Sequence, residues 1–297
     1  MSLLSQQTTQ KDTVSFHDIK TQDQLLAFLT TRAETHPYLF QYTNLNTLEG
    51  MLQNKQLYLS RADRLNDVYE GGQIGEKRNV FIASFSHVSS ERIAMWSMYA
   101  FPYDQGVRLK IDGKAMQAIL KGFRNTKRVF LPALKRARVI PYTFSGNVQL
   151  YLVDVVYTNG KRLKYYKEKI NKTTDLLSKD IRTIDSNNIN NGLSLLNWCI
   201  KDDLWEPEIE TRLILVFDKP IPEEKLAIDI SEAIPVKEVM CGPCLYPPSI
   251  DKYLQQCGQD NVIESKYYNG TFFKSCNKEK CNPRTLFCKN RNPTQTR

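Results

Sequence analysis

The chain has 297 residues, long enough for one large domain with appended ends and short for two. A hydrophobic fraction of 41% suffices for a core and excludes wholesale disorder. Lys and Arg number 41 against 32 acids, a net charge of +9 that turns attention to polyanionic partners.

Residues 1–20 are polar and without periodicity and read as a loose arm; the first 14 carry neither a basic leader nor an apolar run fit for a signal peptide. No apolar stretch approaches the roughly 18 residues a membrane span requires. The seven cysteines, an odd number with no secretion signal, fit reduced thiols, so a cytoplasmic location without membrane contact is expected.

A short helix is expected from Thr21, with Leu25, Leu26, Phe28 and Leu29 as its stripe. Tyr38 to Thr43 reads as a strand, Leu45, Leu48, Met51 and Leu52 fall at helical spacing, and Leu57 to Ser60 returns as a strand. Val80 to Ser86 is a further strand, followed by a helix over about Glu91 to Ala100 and an alternating strand from Gly106 to Ile111. Later strands are expected at 149–157, 208–217 and 236–241, and a helix at 172–197 broken by its Asn-rich centre, 187–191. Many strands with few scattered helices predict an α+β domain over residues 21–255, followed by a basic, Cys-containing tail at 256–297.

Charge is concentrated. Between positions 121 and 138, Lys121, Arg124, Lys127, Arg128, Lys135, Arg136 and Arg138 give +7 with no acid. Residues 269–297 give +6, leaving −4 for the remainder. With Phe123, Phe130 and Phe287 interleaved, these segments suit a phosphate backbone with occasional base stacking, so nucleic acid is the expected partner.

Cys241-Gly242-Pro243-Cys244 has the form of a redox tetrapeptide, but Pro247-Pro248 stop the helix that would lower the thiol pKa. Zinc on Cys241, Cys244, Cys276 and Cys281 is a second use of these thiols and is not favoured. His17, His36 and His87 join no carboxylate or cysteine in a sequence motif, so no metal site is assigned. From Trp205 to Phe217, strand alternation would set Ile209, Thr211, Leu213, Leu215 and Phe217 on one face. Glu208, Glu210 and Arg212 would share the other, where two carboxylates require compensation that Arg212 partly supplies.

Four motifs occur in order: Phe40-Gln41-Tyr42-Thr43; Asn66-Asp67-x-x-Glu70; Met95-Trp96-Ser97-x-Tyr99-Ala100, preceded by Phe85-Ser86 and followed by Gly106-Val107; and Trp205-x-x-Glu208-x-Glu210-x-Arg212-Leu213-Ile214. Over about residues 38–245 the chain resembles a widespread bacterial family known only as a domain of unknown function and often encoded beside phage-defence and toxin genes. Typical members carry His where this chain has Gln41. The pattern is in turn similar to ADP-ribosyltransferase-like enzymes, which implies their mixed or antiparallel sheet and NAD as co-substrate. The resemblance implies that Gln41, Tyr42 and Thr43 meet the NAD ribose and amide, with Ser84 and Ser86 or Tyr99 as the middle element. Glu210 would be the catalytic carboxylate, and Glu208 would stand near the acceptor. An intracellular toxin of this kind implies a neutralising antitoxin. Two other readings stay open: a non-catalytic nucleic-acid-binding module in which Glu208 and Glu210 are structural, and a metal-dependent nuclease using Asp67, Glu70 and the Glu pair.

Overall fold

A computed structural model describes Thr30 and residues 33–66, 77–100, 105–132, 140–144, 146–159, 198–233, 235–243 and 261–267. The expected arm, the helices from Thr21 and over 172–197, Asp67, Glu70, Lys135, Arg136, Arg138, Cys244 and the tail cysteines lie outside these residues.

In chain order the elements are β1 (Tyr38–Asn44), α1 (Leu45–Gln53), β2 (Gln56–Arg61), β3 (Val80–Ser86), α2 (Ile93–Tyr99), β4 (Gly106–Asp112), α3 (Gly113–Thr126), β5 (Val129–Leu131), β6 (Ile140–Pro141), β7 (Val148–Asp154), β8 (Val156–Thr158), β9 (Ile200–Asp202), β10 (Glu210–Phe217), β11 (Lys225–Asp229), β12 (Val236–Cys241) and β13 (Val262–Glu264). The chain is α+β: among the described residues, eleven strands form one mixed sheet, and β8 and β9 form a small parallel pair. Within the large sheet only β12 and β13 run parallel, and the remaining pairs are antiparallel.

The sheet divides at β1 and β3. These strands share a single register pair, Phe40↔Ser86. On one side β1 pairs with β4 along its whole length. On the other, β3 pairs with β10 from Ser86↔Glu210 to Val80↔Val216, and with β2 only at Ser60↔Ile82 and Arg61↔Phe81. Strands that touch at one point and then part leave a groove between them, and the functional candidates gather there.

One core joins the strands to α1 and α3. Asn44 caps α1 by accepting the Thr47 amide at 3.1 Å, and Leu48, Met51 and Leu52 bury its inner stripe. Asp112 caps α3 in the same way through the Ala115 amide at 3.0 Å. Met116, Ile119, Leu120 and Phe123 form the buried stripe of α3, which ends where Lys127 turns left-handed at φ 48°. The sequence reading missed α3 because its charges were weighed as a cluster rather than against helical spacing. Lys121, Arg124, Lys127 and Arg128 are exposed, but Phe123 and Phe130 are core residues, so the expected base-stacking role for those two rings is corrected. Among the described residues no helix is long and apolar enough to cross a membrane.

Gly113 opens α3 hard against the segment entering β1. Its amide donates to the Pro37 carbonyl at 2.9 Å, and a Cβ there would lie 2.1 Å from the His36 carbonyl oxygen. Backbone cannot yield as a side-chain tip does, so Gly113→Ala is expected to cost about 1–3 kcal/mol in urea unfolding. Gly122→Ala meets only the Glu232 carboxylate at 3.3 Å and should gain about 0.5–1 kcal/mol from helix propensity.

Candidate functional site

The groove is a cleft of about 680 Å³. Gln41 and Thr43 of β1 line it, with Ser84 of β3, Tyr99 of α2, Glu210 and Arg212 of β10, and Lys201 of β9. Asn44, Asn46 and Thr47 at the start of α1 form one wall, while Arg64 and Lys225 lie on the same lining. Residues far apart in sequence thus meet in one polar cavity of the size small-molecule sites take.

At its floor sits a buried four-charge cluster. Every residue of β10 is buried. Arg212 donates through one terminal nitrogen to Glu210 Oε2 at 2.7 Å and through the other to the Trp198 carbonyl at 2.6 Å. Lys201 Nζ donates to Glu208 Oε2 at 2.6 Å and to Glu210 Oε2 at 3.3 Å. The Tyr99 hydroxyl donates to the other Glu208 oxygen, and the Glu210 amide donates to the Tyr157 hydroxyl at 2.9 Å. The Lys201 ammonium also lies 4.7 Å from the centre of the half-buried Trp205 ring.

Glu208 is not on the strand, which corrects the alternation expected for 208–217. It ends a 3₁₀ turn, Asp203–Glu208, and Ile209 then adopts φ 43°, an uncommon conformation for a β-branched residue. Ile209 therefore leaves the expected core face, and the turn swings Glu208 inward so that both carboxylates meet Lys201. Arg92 fastens the same turn by donating to the Pro207 carbonyl.

The two carboxyls are driven in opposite directions. Burial and the neighbouring Glu210 charge raise the Glu208 pKa, against the opposing pull of Lys201 and the Tyr99 hydroxyl. Burial would raise that of Glu210 too, but the Arg212 and Lys201 charges and hydrogen bonds from Arg212 and Ser84 outweigh it and hold Glu210 ionised, well below the usual range. Burial and the adjacent Glu208 charge raise the Tyr99 pKa, so its hydroxyl stays a donor. An ionised carboxylate beside one with enhanced proton affinity is an arrangement suited to acid–base work.

The other expected residues are placed as follows. Gln41 is half-buried on the cleft wall, and its Oε1 is buried with no hydrogen-bond donor among the described residues. Tyr42 reaches the cleft, but its ring packs edge-on against Trp96 and its hydroxyl accepts the Arg92 amide, so much of it serves to seat α2. Ser86 is not on the main cleft. It is buried, bonds the Ile209 carbonyl and borders a small cavity of about 40 Å³ behind Tyr99, which Glu208 also lines. Asn66 reaches the cleft; the carboxylates expected beside it lie outside the described residues. Cys241 is buried at the end of β12, not at a helix start, so the redox geometry is not met there. The sequence reading missed Lys201 and Tyr157, which β8 and β9 bring to β10, and no motif signalled either.

No protein-family model, curated protein or solved structure matches the chain.

Removing Arg212 should leave the buried Glu210 carboxylate with Lys201 alone, at 3.3 Å and shared with Glu208, and Arg212→Gln is expected to lose about 3–5 kcal/mol in urea unfolding. Glu208→Gln should cost far less, because burial already disfavours its charge. Glu210 titrates below its ordinary 4.5, so the stability it contributes is present above that value and is lost as the pH falls through and below it. Acid unfolding followed by circular dichroism should show a shallower loss in Glu210→Gln than in the wild type, measured relative to each protein at pH 7.

Proposed function

We propose that the chain is an NAD-consuming ADP-ribosyltransferase of bacterial toxin or phage-defence type, acting on a nucleic-acid acceptor. The observation that carries this reading is Glu210, a carboxylate kept ionised by Arg212 and Lys201 on the floor of the cleft that Gln41, Thr43, Ser84 and Tyr99 also line.

The residue chemistry suits NAD as co-substrate. The buried Gln41 Oε1 is an acceptor awaiting a donor, as an amide or ribose hydroxyl would provide. Thr43 and Ser84 add hydroxyls on facing walls, and the Trp205 and Tyr99 rings offer surfaces for a pyridinium or a base. In the reaction, the bond between ribose C1′ and the nicotinamide nitrogen breaks and its electron pair leaves with nicotinamide. The oxocarbenium ion left behind is stabilised by the Glu210 carboxylate. The acceptor then bonds C1′, and its proton leaves by way of the Tyr99 hydroxyl to Glu208, which lies behind that ring. The exposed side chains of Lys121, Arg124, Lys127 and Arg128 would bind the acceptor's phosphates, together with Lys135, Arg136, Arg138 and the tail.

One observation favours the non-catalytic alternative: Glu210 Oε2 already carries both ion pairs of a buried cluster, as a purely structural carboxylate would.

Purified protein incubated with NAD labelled in its adenosine half, together with RNA, DNA or bacterial lysate, separates the two. Transfer of label to a macromolecule, reduced about 10²–10³-fold in a folded Glu210→Gln variant, is the expected result. Tyr99→Phe should lower transfer while leaving NAD affinity nearly unchanged. Salt-sensitive nucleic-acid binding without any NAD turnover would decide for the alternative.

A further inference from the structure

A second cluster of chemically capable side chains lies on the face of β10 opposite the cleft. Thr211, between Glu210 and Arg212, points away from them, as strand alternation requires. Its hydroxyl donates to Asp154 Oδ1 at 2.6 Å, across the β7–β10 pair Thr211↔Asp154. His36, just before β1, places Nε2 at 3.0 and 2.9 Å from the two Asp154 oxygens. His87, just after β3, places Nδ1 at 2.9 Å from the Thr211 hydroxyl and 3.8 Å from Asp154 Oδ1. The two imidazoles stack with centroids 4.2 Å apart and planes 6° from parallel.

We infer that His36, His87 and Asp154 form a binding site for a divalent transition-metal ion of the zinc type, separate from the cleft and independent of the activity proposed there. Three arguments support it. One ligand atom from each residue lies within 4.8 Å of the others, a spread that modest side-chain movement closes around one ion. Two neutral imidazoles and one carboxylate suit zinc and its first-row neighbours, with water completing the shell. The outer support that metal-binding carboxylates commonly have is already built, since Thr211 fixes Asp154 Oδ1. The His36 and His87 side chains are 17% and 15% exposed and Asp154 6%, so the donors are sheltered yet within reach of solvent.

Parallel rings direct their nitrogen lone pairs side by side rather than at a common point. Binding therefore needs one rotation, in which the His87 ring turns Nδ1 away from Thr211 and toward Asp154, and a tautomer shift in both rings: solvent takes the proton from His36 Nε2 and from His87 Nδ1 and returns one to the opposite nitrogen of each ring. Each imidazole then keeps a proton on its other nitrogen. The bound ion would tie together the segment entering β1, the end of β3 and the β7–β10 pair. That role would be structural, steadying the strands that carry Glu210 from behind.

Full-length protein stripped with a chelator and titrated with Co²⁺ tests the site. The expected result is one equivalent bound at nitrogen and oxygen donors, with weak visible d–d bands and a raised melting temperature. Zn²⁺ should displace it. His87→Gln and Asp154→Asn should each weaken binding by at least about tenfold, as loss of a ligand or of its support does. His87→Gln alters a partly exposed ring, so it keeps the test valid if Asp154→Asn does not fold. Absence of stoichiometric binding to the stripped wild type would overturn the inference. So would an intense thiolate-to-cobalt band with affinity unchanged in His87→Gln, which would place the ion on cysteines instead.

Discussion

The interaction on which the rest depends is the pairing of Glu210 with Arg212 and Lys201. All three residues, with Glu208, are at most 5% exposed. Buried charges are tolerated only when partnered and fully hydrogen-bonded, and breaking such a set is far more costly than never building it. Much of the local architecture serves this requirement. The parallel β8–β9 pair brings up Lys201 and Tyr157, the Trp198 carbonyl absorbs the second arm of Arg212, and the Ile209 turn delivers Glu208. Replacing the cluster with apolar residues of similar volume would be the simpler way to stabilise a strand. Its presence at the floor of a polar cleft is what gives it functional weight.

The cleft follows from topology. β1 is held by β4 on one side and touches β3 only at Phe40↔Ser86, so the two halves of the sheet diverge from that point. The wedge is kept open on one side by α1, whose Asn44 cap places polar residues on the wall. On the other side α2 is seated by Tyr42 and Trp96, and Trp96 is in turn held by Glu91 at 2.7 Å. Glu91 also receives the Lys266 amide at 2.9 Å, which links the end of the described chain to this wall. A ligand entering the wedge would meet side chains from both halves of the sheet at the β1–β3 junction.

Much of this frame was legible in the sequence because its periods are strong. Alternation marked β4, short apolar or aromatic runs marked β1, β2 and β3, a strand was expected at β12, and Leu45, Leu48, Met51 and Leu52 marked α1 at helical spacing. The grouping of Gln41, Thr43, Ser84, Tyr99 and Glu210 came from motif resemblance, and the structure places these five on one cleft. What was not legible depends on contacts that no local pattern encodes. Glu208 looked like a strand residue because alternation has no means of signalling a positive φ at Ile209. Lys201 is invisible in sequence, since its relation to Glu210 passes through the β8–β9 pair. His36 and His87 are 51 positions apart in sequence and stack only because β1 and β3 meet. Phe123 and Phe130 were read with the charges around them, whereas helical spacing in α3 and strand pairing in β5 assign them to the core.

The proposed function would set an ionised Glu210 in this cleft against the C1′ of a bound NAD. Release of free nicotinamide from NAD, quantified by chromatography, tests it most directly because water can replace an unknown acceptor. Wild-type protein should release nicotinamide, and release should fall to background in a Glu210→Gln variant with the wild-type circular dichroism spectrum. NAD left intact by the wild type in buffer and in lysate, or release equal in the two proteins, would contradict it.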